Sequence, residues 1–161
     1  MILATVLAAT ACSSGAATTT TPPGDIACEE PPSNELESRS AIGMSVQPSP
    51  AAPRETVSLT VSSQGLPEDT RGGVDARWQC WDGSQWVTTH AVYRGFGDNP
   101  GQTIPLNSEF QIRVPSIGLD LNQGFPIVIP QVESGTYRIE DEVIVDDESL
   151  TGHVIVEVSG N

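Results

Sequence analysis

From Ser40 onward, apolar and polar residues alternate in short runs separated by Pro, Gly, Asn and Asp. Successive side chains of a strand point to opposite faces, so a period of two marks strands with one buried face. Ile42, Met44 and Val46 form the first run, broken by Pro48, Pro50 and Pro53, and Val57, Leu59 and Val61 form the next. A longer run from Val74 to Trp81 is folded back by a Gly83-containing turn into Trp86 to Tyr93. Further runs lie at Phe110, Ile112 and Val114, at Ile127 to Ile129, at Tyr137 to Val145, and at Val154, Val156 and Val158. No stretch sustains a period of 3.6, so almost no helix is predicted. Strands at this spacing predict one all-β sandwich of seven to nine strands.

The N-terminus has a different character. Met1 to Ala11 is apolar, ends in small residues and stops immediately before Cys12. It is too short to span a bilayer but suits the apolar and cleavage regions of an export signal. The placement of the cysteine resembles a bacterial lipoprotein signal. That resemblance implies cleavage before Cys12, acylation of Cys12 by palmitate-type chains, and anchoring of the exported protein to the bacterial cell membrane by lipid. The alternative is an ordinary secretory signal cut near Ala11. Residues 12–39 include the run Thr18 to Thr21, Pro22, Pro23 and bury too little apolar area to fold, so they are predicted to be a disordered tether, with the sandwich spanning 40–161. With Cys12 acylated, Cys28 and Cys80 remain to pair as a disulfide stapling the end of the tether to the domain; two buried free thiols are the alternative.

Charge narrows the partners. The chain has seven Arg, no Lys and 21 Asp plus Glu, a formal charge of −14. Such a molecule repels nucleic acid, and no nucleic-acid partner is predicted. The cluster Glu140, Asp141, Glu142, Asp146, Asp147 and Glu148 reads as a solvated acidic hairpin without EF-hand spacing. His90 and His153 are the only histidines, and neither has a nucleophile or clustered ligands near it in sequence. No Gly-x-Ser-x-Gly elbow, His-Glu-x-x-His helix or phosphate-cradling loop is present. No catalytic residue, metal or cofactor is therefore predicted.

Several segments carry a second resemblance. Ser45 to Pro48 with Glu55 to Val61, the hairpin Trp78 to Val87, and Ser134 to Ile139 with Val154 to Val158 are similar to the immunoglobulin-like domains of bacterial lipoproteins. The resemblance implies an immunoglobulin-like sandwich, here without a cysteine two residues after Tyr137. A Tyr entering a late strand just after Gly135 is predicted to send its hydroxyl back to an upstream carbonyl as a tyrosine corner. Within the central hairpin, a loop Asp82 to Gln85 sets Trp81 opposite Trp86, leaving Trp78, Cys80, Val87, Ala91 and Tyr93 on the inner face. Trp81 and Trp86, a partly exposed pair beside Arg77 and His90, are the candidate binding residues; that the two rings simply stack on each other or under a loop is the alternative. The expected function is a binding or adaptor module for an envelope protein, peptide or glycan. A spacer without a tight ligand and an unrecognised small hydrolase are the alternatives.

Overall fold

The computed structural model describes residues 26–37, 40–62, 64–68, 70–72, 75–95, 99–106 and 121–160. Nine strands are present among them: β1 Met44–Gln47, β2 Thr56–Val61, β3 Arg71–Gly72, β4 Asp75–Trp81, β5 Trp86–Tyr93, β6 Gln102–Pro105, β7 Phe125–Val128, β8 Gly135–Val145 and β9 Glu148–Val158. A four-residue helix, α1 Ser33–Leu36, is the only helix in the described residues. Cys12, the apolar leader and the predicted strand through Phe110, Ile112 and Val114 lie outside them.

The strands form two antiparallel sheets, a β-sandwich as the alternation predicts. The smaller sheet runs β1-β2-β7. In the larger, β9 pairs with β8 along its whole length, β3 and β4 share the other edge of β8, and β5 and β6 follow. Val57 and Leu59 from β2 and Ile127 from β7 meet Ala76, Trp78, Cys80, Val92, Tyr137, Ile139 and Val156 in the main core, with Leu59, Ala76, Cys80 and Ile139 fully buried. A smaller cluster of Ile42, Val61, Leu121 and Val143 lies beyond it. Between Ile139 and Val143, on the same face of β8, stands Asp141, whose carboxylate pairs with the Arg94 guanidinium; both side chains have no exposure. The predicted solvated hairpin is therefore corrected at this residue. Period two sends Glu140 and Glu142 out and Asp141 in, where it also accepts the Glu142 N–H at 2.8 Å.

Both seams between the sheets are closed. Ala51 bridges Val158, while Ser40 Oγ accepts the His153 N–H at 2.9 Å and Ile42 packs where a Cβ on Gly152 would stand. On the other side, Pro126 O accepts the N–H groups of Gly95 and Gly101, and Thr103 Oγ1 donates to Val128 O. Edge strands left open are sites of unwanted pairing, and these contacts blunt them.

Three local features depart from the sequence expectation. β6 was not foreseen, because Gln102 to Pro105 is too short to display a period. Residues 26–37, grouped by composition with the tether, lie against the larger sheet through Cys28, Glu29, Glu30 and Glu35. A bulge between Trp78 and Gln79 leaves Thr89 without a partner in the β4–β5 register, which runs Cys80–Val87, Trp78–His90 and Ala76–Val92. One extra residue switches every later side chain to the other face. His90 and Val92 consequently share the inner face with Trp78, and Ala91 and Tyr93 turn outward, correcting the expected placement of His90, Ala91 and Tyr93.

The β8–β9 hairpin ends in a two-residue loop closed by Val145 and Glu148, with Asp146 at φ 50° and Asp147 at φ 64°. Two positive φ values define the type I′ turn, which favours Gly at its second position. Asp147→Gly is expected to raise stability by about 0.5–1 kcal/mol, because an L side chain in this region is strained. A higher urea midpoint at unchanged slope would confirm it, and an unchanged midpoint would refute it.

Candidate functional site

The hairpin loop is built as its residues require. Asp82 Oδ1 accepts the N–H groups of Ser84 and Gln85 at 2.9 and 2.8 Å, and Gly83 takes φ 94°. These hydrogen bonds stabilise the ionised form of Asp82 and lower its pKa. The four-residue loop sets Trp81 directly opposite Trp86 on the outer face of the larger sheet. Their rings meet edge to face, with centroids 5.7 Å apart and planes at 72°.

Their exposure differs. Trp81 is only 8% exposed, because Glu29 forms an antiparallel bridge to it, with the Glu29 N–H donating to Trp81 O at 2.7 Å. Trp86 is half-buried; its Nε1–H donates to Glu35 Oε2 of α1 at 3.2 Å. The expected exposed pair is thus one covered ring and one available ring. The Cys28–Cys80 disulfide holds the covering segment, Ile26 to Glu37, in place, with Cα atoms 5.5 Å apart.

Beside the tryptophans runs a line of polar side chains that sequence reasoning saw only in part. Arg138 on β8 places its guanidinium 4.8 Å from the Trp86 ring centroid. Its Nε donates to Gln79 Oε1 at 2.6 Å, and Gln79 Nε2 donates to Thr88 Oγ1 at 3.2 Å. Glu140 then joins Arg138 at 3.4 Å to Arg77 at 3.1 Å. Burial lowers the pKa of Arg138, and the carboxylates of Glu140 and Glu35 oppose that shift. Arg138 is not legible in the sequence because only the pairing of β8 with β4, 59 residues apart at Gln79 and Arg138, brings it to the aromatic pair.

The line leads into a groove of about 510 Å³ on the same outer face, lined by Arg77, Thr88, Ala91, Leu106, Glu140 and Ile144. Leu106 and Ile144 are 49% and 41% exposed and give the groove an apolar flank. The volume lies in the range of ligand sites. Arg77 shares the outer face with Trp86 and is linked to it through Glu140 and Arg138, but His90 is not on that face. The bulge sends His90 to the opposite face, where Thr89 Oγ1 lies 2.9 Å from its Nδ1 and burial lowers its pKa. There it lines a separate groove of about 700 Å³ with Glu30, Glu133, Val132 and Tyr137. The Tyr137 hydroxyl donates to Glu133 O at 2.9 Å, the upstream carbonyl bond predicted for it. Among the described residues no three His, Cys, Asp or Glu side chains converge as a metal site would. Comparison of the chain with protein-family models, curated proteins and solved structures gave no match.

Proposed function

We propose that this protein is a non-catalytic envelope lipoprotein, exported and anchored through Cys12, whose immunoglobulin-like domain binds an envelope partner on the outer face of its larger sheet. The observation that carries the reading is the run of features along that face: the half-buried Trp86 ring under Arg138, the Arg138–Glu140–Arg77 network, and the groove flanked by exposed Leu106 and Ile144. Aromatic and Arg side chains dominate the energetics of protein interfaces, and isolated exposed aliphatics beside them supply apolar contact. The leader and the Cys12 placement support the anchoring, and the Cys28–Cys80 disulfide accords with a compartment outside the cytoplasm.

Two measurements test it. The mass of the detergent-extracted protein is expected to correspond to a chain beginning at Cys12 plus acyl groups, and Cys12→Ala is expected to abolish that species. The full chain is expected to retain one stoichiometric partner from solubilised envelope, with Arg77→Glu and Ile144→Asp each weakening capture at least tenfold at unchanged melting temperature, as loss of an interface hot spot does. Capture of nothing would instead favour a spacer. Equal capture by both variants would place the binding surface elsewhere.

A further inference from the structure

The end of the segment that lies over Trp86 buries no side chain. α1 has four residues, none buried, and no side chain caps its N-terminus. A helix this short does not sustain itself in water, so its position depends on what it touches. The first half of the segment is fixed by the Cys28–Cys80 disulfide, the Glu29–Trp81 bridge, the Thr136–Glu30 hydrogen bond of 2.8 Å, the packing of Ile26 on the main core and the burial of Pro31. Beyond them, the contact it makes with the aromatic site is the Glu35 carboxylate on Trp86 Nε1, close enough to Arg138 for the two charges to interact.

The chemistry of that contact is specific. An indole N–H donates only, and a guanidinium donates only, so together they select an acceptor, best an anionic one. The main chain of the same segment pairs with the end of β4 at Glu29, so the present occupant is a peptide that is extended there and turns into the short helix carrying the carboxylate. We propose that Trp86 Nε1 and Arg138 form a carboxylate-recognition site for an acidic peptide segment of the partner, and that Glu35 occupies this site when the partner is absent. This rests on the outer face being the binding surface.

The net charge of −14 opposes an acidic ligand at long range. The attraction is therefore local, from Arg77 and Arg138 around the single carboxylate of Glu140, and raised salt should strengthen binding by screening the remainder. Glu35 competes from seven residues beyond the Cys28 anchor, at an effective concentration of roughly millimolar order. A competitor that fills the site nine-tenths of the time reduces apparent affinity about tenfold.

The test uses the full chain and an acetylated, amidated peptide with the sequence of residues 31–37, followed by tryptophan fluorescence. Glu35→Gln is expected to bind this peptide at least tenfold more tightly than the wild type. The same peptide with Gln in place of its first Glu is expected to lose that affinity, as is Arg138→Gln; Arg138→Lys, which keeps the charge, is expected to retain part of it and guards against misfolding of the Gln variant. Equal binding by wild type and Glu35→Gln, no binding by Glu35→Gln, or equal binding of the Gln peptide would overturn the proposal. Tighter binding of an oligogalacturonate than of the peptide would overturn its peptide assignment. These outcomes are separable from failure of the functional reading: if Glu35→Gln captures the envelope partner no better than wild type while Arg77→Glu still weakens capture, only the competition by Glu35 is lost.

Discussion

Asp141→Asn is expected to lower the stability of the domain by about 3–5 kcal/mol, and Arg94→Met by a similar amount, because each change leaves one buried charge opposite a neutral group. Asp141 and Arg94 have fully buried side chains, and the guanidinium also lies 5.1 Å from the Phe125 ring centroid. Desolvating two ions offsets most of their attraction, so the pair as a whole contributes little net stability; it is the unbalanced half that is costly. The double replacement Arg94→Met with Asp141→Leu is accordingly expected to cost much less than either single change. A double-mutant cycle by urea denaturation reads this directly. If the two single losses simply add, the residues act independently and the ion pair is not what ties the chain after β5 to β8. The location gives the pair a further consequence. Asp141 stands between the main core at Ile139 and the smaller cluster at Val143, where a one-residue slip of β8 would bury Glu140 or Glu142 instead. A single buried Arg immediately after β5 therefore penalises the wrong register.

The same residues show how far the sequence could be read. Alternation alone located seven of the nine described strands, all but the short β3 and β6, and the four-residue loop set the register of Trp81 and Trp86 correctly. Tyr137 and the Cys28–Cys80 pairing were legible because each rests on a small number of residues with strong requirements. What escaped was decided by neighbours far away in the chain. An acidic run reads as solvated unless a cation waits inside, and Arg94 lies 47 positions upstream of Asp141. The Thr89 bulge leaves no compositional mark, yet it reversed His90, Ala91 and Tyr93. Residues 26–37 have the Pro and Glu content of a tether, and only the staple at Cys28 and the bridge at Glu29 make them part of the fold. The candidate site suffered most, since Arg138 and Glu35 reach Trp86 from β8 and from α1.

Replacing both Cys28 and Cys80 by Ser is expected to cost about 4 kcal/mol, the chain entropy returned to the unfolded state when a loop of 52 residues is no longer closed. Against a total of roughly 5–15 kcal/mol for a domain of this kind, such a loss is severe. The effect is expected to divide into two parts. Cys80 is fully buried in the main core, so a Ser hydroxyl there adds a desolvated polar group, whereas Cys28 is exposed and a Ser at that position adds none. Cys80→Ala with Cys28→Ser is therefore expected to be more stable than the double Ser variant while retaining the entropic loss. The local effect follows from geometry. Without the staple, residues 26–37 keep the packing of Ile26 and Pro31, the Glu29 bridge and the Glu30 and Glu35 hydrogen bonds, and the stretch 33–37, which buries no side chain, is the first that chain entropy frees. Trp86 should then become more accessible to a fluorescence quencher at temperatures where the sandwich itself remains folded. If quenching of Trp86 is unchanged in a folded, disulfide-free variant, the segment is held by its own contacts and the sulfur bridge serves the core alone.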